Sequence, residues 1–188
     1  MTCIVGIAQN GKVYMGADSC GSDSSYWLEV SNHKVFTVGP FIIGCCGSFR
    51  MIDLLTYSLT GVIQRPEDSD DKFIRTVFVN EIKKCLKEAD ALRDNHLDGE
   101  FLVGYKGKLY VFQSDFSILN CDQWGHATGS GIWAAKGSLW TTQSEIKNED
   151  GTTTTNHFAV KERLILALRA AEACVPSVRG PFVIKEVQ

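Results

Sequence analysis

The sequence predicts an α+β fold, a four-layer sandwich of two packed antiparallel sheets with helices on both outer faces. Three observations carry this reading. Short apolar, β-rich runs come in two blocks, each holding a tight-turn signal, Asn10-Gly11 in the first and Lys106-Gly107 in the second. After each block the apolar period switches from two to the helical spacing, and a last apolar run closes the chain. The resulting order, ββββ-αα-βββ-αα-β, suits two sheets that bury one face on each other and the other under helices.

The elements follow in order. Residues 2–9 form a first strand, and residues 12–18 return through Val13 and Met15. A Ser/Gly-rich loop, "SCGSDSS", leads to strands at 33–38 and 41–46 around Gly39-Pro40. Ser48 then caps a helix with Met51, Leu54, Leu55, Leu59 and Val62 on one face, expected to run to the Arg65-Pro66 break. A second helix is expected over 70–92, with Phe73, Val77, Ile82 and Leu86 on its buried face. "EFLVGYKGKLYVFQ" reads as a hairpin and "SILNCD" as an edge strand, followed by helices at 132–144 and 157–174 separated by a flexible "KNEDGTTTTN" loop. The final strand covers 182–187, and all 188 residues make one domain.

Composition excludes several classes. With 44% hydrophobic residues, 22% charged, 17 Gly and 4 Pro, the chain is neither disordered nor fibrous. A net charge of −3 and the lack of a basic stripe argue against a nucleic-acid partner. No apolar run reaches the ~20 residues needed to span a bilayer, and the first residues lack the features of a signal peptide, so the expected location is cytoplasmic, away from membranes. Seven cysteines, an odd number with no CxxC pair and no zinc pattern, read as free thiols. The four histidines, His33, His96, His126 and His157, lack metal-ligand spacing, and there is no G-x-S-x-G elbow; His33, beside Lys34, is the one histidine placed to line a site. "GSGIWA" matches a dinucleotide fingerprint, but "DQWGHAT" before it is a poor parallel strand and no βαβ unit surrounds it.

The second residue is the chemical clue. Thr is small enough for an aminopeptidase to remove Met1, which leaves Thr2 with a hydroxyl and an α-amine one carbon apart. That amine, with an ordinary pKa of about 7.7–8.0, can take the hydroxyl's proton near neutrality, a nucleophile and base in one residue. Asp18 ends the second strand, where the hairpin returns it toward the start of the first. Lys34 opens the third strand, and a glycine-containing turn at 44–48 links the fourth to a helix.

"TCIVGIAQNGKVYMGAD", then Lys34 and "IIGCCGS", resembles the proteasome β-subunit and HslV-type family of N-terminal nucleophile (Ntn) hydrolases. Counted from Thr2, Asp18 and Lys34 fall at that family's acid and lysine positions without a gap, and "GSG" at 129–131 resembles its Gly-Ser-Gly before a helix. The resemblance implies a threonine endopeptidase whose Thr2 Oγ attacks a peptide carbonyl. Lys34, oriented by Asp18, then lowers the effective pKa of the hydroxyl; Gly47 N–H receives the oxyanion, and Ser130 bonds near the amine. In the turn before the last strand Ser177 matches a family serine, while Cys174 stands where proteasomal subunits have an aspartate. Cys20, Gly21 and Cys45 match positions that shape the first specificity pocket. No metal or organic cofactor is needed for this chemistry. The implied partners are a polypeptide or peptide substrate, further copies in a homo-oligomeric ring, and an ATP-dependent unfoldase. The alternative is an inactive proteasome-like subunit with an assembly or binding role.

Overall fold

The computed structural model describes residues 2–22, 27–31, 34–121 and 124–188. Strands β1 (Cys3–Gln9) and β2 (Lys12–Ala17) form the expected hairpin, with Asn10 and Gly11 both at positive φ in its turn. They are joined in one antiparallel sheet by β13 (Val183–Val187) beside β2 and, on the other side, by β10 (His126–Gly129) beside β1. The second sheet is built from β5 (Val35–Val38), β6 (Phe41–Cys45), β7 (Phe101–Tyr105), β8 (Lys108–Phe112) and β9 (Ile118–Asn120) in chain order, every pairing antiparallel.

Side-chain alternation sorts these strands into layers. On β1, Cys3, Val5 and Ile7 pack against helices α4 (Ile132–Thr141) and α5 (Val160–Cys174), while Ile4 turns to the opposite face and meets Val13, Met15, Val35, Ile42 and Leu102 between the sheets. On β6 and β7, Phe41, Ile43, Phe101 and Val103 face a second helix layer made of α1 (Phe49–Tyr57), α2 (Asp70–Phe73) and α3 (Val79–Glu88), and Ile42 and Leu102 face inward. Strands covered on both faces need apolar residues at nearly every position, which is why "CIVGIA", "FIIGC" and "FLVGY" read as continuous apolar runs. Stacked rings at the helix-side interface, with Phe41 and Phe78 centroids 4.1 Å apart, anchor the second layer. The predicted four-layer order stands.

Several boundaries differ from the sequence reading. Ser48 caps α1, its hydroxyl accepting from Arg50 N at 3.1 Å, but the helix stops at Tyr57 and Gly61 lies at φ 70° before the Arg65-Pro66 break. The second predicted helix starts as expected at Asp70 and passes through a π-helical segment, Ile74–Phe78, into α3; it ends at Glu88 because Asp90 adopts φ 51°. α4 stops at Thr141 and α5 begins at Val160. Two short hairpins form at or beside the expected loops: β3 (Cys20–Ser22), within "SCGSDSS", with β4 (Trp27–Glu29) beyond it, and β11 (Glu145–Lys147), at the edge of "KNEDGTTTTN", with β12 (Thr153–Thr155) inside it. β10 was not anticipated either, since "GHATG" has little local strand signal and gains its ladder only from β1.

Candidate active site

Thr2 stands at the head of β1, 6% exposed, and is held by "GSG". Its nitrogen donates to Ser130 Oγ at 3.2 Å, and Ser130 Oγ donates to the Thr2 carbonyl at 3.1 Å. Gly129, directly opposite Cys3 in the β1–β10 ladder, takes φ 92°, and a Cβ there would meet the Thr2 carbonyl oxygen at 2.2 Å. Gly131 is equally constrained, because a Cβ would lie 2.7 Å from Ala171 and 2.9 Å from Cys3. At Gly129 the motif therefore brings backbone against backbone, where a side chain would push Thr2 away, and at Gly131 it leaves room for the side chains of Ala171 and Cys3. Ser130 does not cap α4: Gly131 occupies that position with no side-chain cap, and the serine hydroxyl is spent on Thr2.

Asp18 and Lys34 form a fully buried ion pair. Lys34 Nζ donates to both carboxylate oxygens, at 3.0 and 2.9 Å, and to the Cys20 carbonyl at 2.7 Å. Asp18 Oδ1 also accepts from Cys3 N at 2.8 Å and Oδ2 from Cys20 N at 3.1 Å. Burial of two charges is tolerated only when the remaining lone pairs and protons are bonded, and here each carboxylate oxygen has two donors. One of those donors is the amide adjoining Thr2, so the ion pair is fastened to the residue next to the candidate nucleophile. Burial, reinforced by the Asp18 carboxylate, pushes the Cys3 thiol up to about 12, which keeps it protonated and out of competition as a nucleophile.

Gly47 lies in the turn between β6 and α1 at φ 117°, and a Cβ there would sit 1.7 Å from the Asp98 carbonyl oxygen. Its neighbour Cys46 is fastened to Glu100 by three contacts: Cys46 N and Sγ donate to the Glu100 carbonyl at 3.3 and 3.0 Å, and Glu100 N donates to Cys46 Sγ at 3.3 Å. Glu100 Oε2 in turn accepts from Thr128 Oγ1 at 2.7 Å. Cys46, Glu100 and Thr128 escaped the sequence reading, and no local pattern marks them.

The remaining predicted positions are less closely tied to Thr2. Ser177 lies in the turn after α5, buried, and its hydroxyl has no hydrogen-bond partner among the described residues. That turn reaches the site through Arg179, whose carbonyl accepts from Ser19 N at 3.1 Å, next to Asp18. Cys20, Gly21 and Cys45 are all buried; Cys45 packs in the core under α1, and a Cβ on Gly21 would meet Val30 at 2.7 Å. Cys174 is exposed. Met1 and His33 lie outside the described residues. A cavity of about 700 Å³ lined by Gln9, Lys108, Trp124 and Arg163 is at the far end of β1 from Thr2 and has no part in this arrangement. Among the described residues no cluster of His, Cys, Asp and Glu is placed to hold a metal, and no helix is long and apolar enough to cross a membrane.

No family model and no curated protein matches the chain by sequence. Solved structures do. BPH from Thiobacillus denitrificans, solved in complex with epoxomicin, superposes with a TM-score of 0.73 at 18% identity, covering 99% of this chain and 98% of BPH. The fold is that of BPH and HslV. HslV from Trypanosoma brucei matches at TM-score 0.68 and 14% identity over 99% of both chains. The Anbu (Gly-1) mutant from Hyphomicrobium sp. strain MC1 matches at 0.65 and 12%, covering 98% of this chain and 80% of its own. The HslV-like sandwich thus extends over the whole molecule, at identities that speak to the fold alone.

Proposed function

We propose that this chain is a threonine peptidase whose nucleophile is Thr2, exposed by removal of Met1. The observation that carries the reading is the convergence on two adjacent backbone nitrogens: the Thr2 nitrogen bonds Ser130 Oγ, and the next amide, Cys3 N, bonds the carboxylate that grips Lys34. The HslV-like fold and the gap-free spacing of Asp18 and Lys34 from Thr2 support it, as does the solution of a fold relative, BPH, with epoxomicin.

In this mechanism the freed Thr2 amine takes the proton from Thr2 Oγ as the oxygen attacks the carbonyl carbon of a peptide bond. The Lys34 ammonium, oriented by Asp18, stabilises the forming alkoxide. Negative charge on the carbonyl oxygen is received by Gly47 N–H, ahead of α1, where the helix dipole adds to the favourable field. Collapse of the tetrahedral intermediate breaks the C–N bond, the amine's proton leaves with the new N-terminus, and an ester on Thr2 remains. Water, deprotonated by the same amine, then hydrolyses the ester and restores the hydroxyl. Ser130 orients the amine in both halves. Assembly into a ring with further copies, and feeding by an ATP-dependent unfoldase, belong to the same proposal.

The test is the intact mass of purified protein before and after incubation with a peptide epoxyketone. Loss of Met1 with an adduct mapped to Thr2 is expected, absent from Thr2→Ala. A Thr2→Ala chain that still cleaves peptides at the wild-type rate would end the proposal. Light scattering that finds only monomer removes the ring and leaves the chemistry standing.

A further inference from the structure

The proposed nucleophile and oxyanion donor belong to different sheets. Thr2 leads β1 of the first sheet, and Gly47 follows β6 of the second, so the hydrogen-bond ladders of neither sheet set the distance between them. Two carboxylates bond across the gap at this end of the sandwich. One is Asp18, with Lys34, already assigned. The other is Glu100, at the entrance to β7, with Thr128 of β10: Thr128 is 1% exposed, pairs with Ile4 two residues from Thr2, and immediately precedes "GSG". Glu100 is bonded through its backbone to Cys46, the residue before Gly47, and the Cys46 sulfur lies 3.6 Å from Thr128 Oγ1.

Accepting the peptidase reading, we infer that Glu100 is a positioning residue: by bonding Thr128 on one sheet with its carboxylate and Cys46 on the other with its backbone, it sets the Gly47 turn against the Thr2 support. The carboxylate accepts a hydrogen bond from the Thr128 hydroxyl in a half-buried setting, where a charge-assisted bond is short and directional. Sheet-on-sheet packing through Ile4, Ile42 and Leu102 is apolar and non-directional, and the Glu100–Thr128 bond adds a directional constraint on the offset at this end. A misplacement of about 1 Å between reacting groups is enough to cost roughly a hundredfold in rate.

The test uses Thr128→Val, which keeps the shape and removes the donor, with Thr128→Ser as the conservative replacement that keeps it. Thr128→Val is expected to lower kcat ten- to a hundredfold with KM within about twofold, and Thr128→Ser to recover most of the loss. Hydrogen–deuterium exchange on the same proteins reads the coupling without reference to activity: segments 44–50 and 126–132 should both exchange faster in Thr128→Val. Faster exchange confined to 126–132, or an unchanged kcat, overturns the inference. If unmodified protein neither cleaves peptides nor takes the epoxyketone at Thr2, the peptidase reading fails and exchange alone judges whether Glu100 couples the two segments.

Discussion

Ser130 and Thr2 are joined twice: the serine hydroxyl accepts from the Thr2 nitrogen at 3.2 Å and donates to the Thr2 carbonyl at 3.1 Å. One side chain thereby fixes both the rotation and the depth of the residue at the head of β1. Replacing Ser130 by Ala removes both bonds, each worth about 1 kcal/mol. A fall of roughly thirtyfold in kcat for a fluorogenic peptide is expected; steady-state kinetics giving wild-type kcat would show that Thr2 is positioned by its strand alone.

The buried pair makes a different prediction, about stability as well as rate. Lys34→Met leaves the Asp18 carboxylate buried without its cation, and stripping one member from such a pair costs about 3–5 kcal/mol. Urea unfolding should report a loss in that range, together with loss of turnover. A stability change below about 1 kcal/mol would mean that water reaches Asp18 once the lysine is gone.

Glycine replacements separate a strained position from an ordinary one. Gly129→Ala places a Cβ against the Thr2 carbonyl at a φ of 92° and should both destabilise the chain and abolish epoxyketone labelling. Gly137→Ala, inside α4 with nothing within 4 Å of the new carbon, should stabilise by about 0.5–1 kcal/mol. Thermal melts of the two variants moving in the same direction would refute this account.

Thiol reactivity follows burial. Cys174 is exposed and should be the first residue alkylated by iodoacetamide at pH 8. Burial pushes the Cys3 thiol up to about 12 and raises those of Cys45 and Cys46, so all three stay protonated and unreactive in the folded protein. Peptide mapping after brief labelling checks the order; rapid modification of Cys3 would contradict its burial on β1 beneath α4 and α5.

Much of this arrangement could be read from the chain because it rests on local regularities. Apolar period, the Asn10-Gly11 and Lys106-Gly107 turns and the Ser48 cap each act within a few residues, and they define the strands and helices whose packing yields the four layers. Thr2 could be singled out for an equally local reason, since hydroxyl and amine share one residue; Asp18, Lys34, Gly47 and Ser130 came from their spacing relative to it and from the family resemblance that spacing supports. What local pattern cannot encode is pairing at long range. β10 is a strand only because residues 126–129 lie beside β1, with Gly129 facing Cys3. The tie from Cys46 to Glu100 spans 54 positions and that from Glu100 to Thr128 spans 28, so neither appears in any window of sequence. Propensity, capping and turn chemistry are properties of neighbours in the chain and were determined by the sequence itself; the meeting of Thr2 with Ser130 was decided only when β10 paired with β1, and that of Asp18 with Lys34 only when apolar burial closed the two sheets on each other.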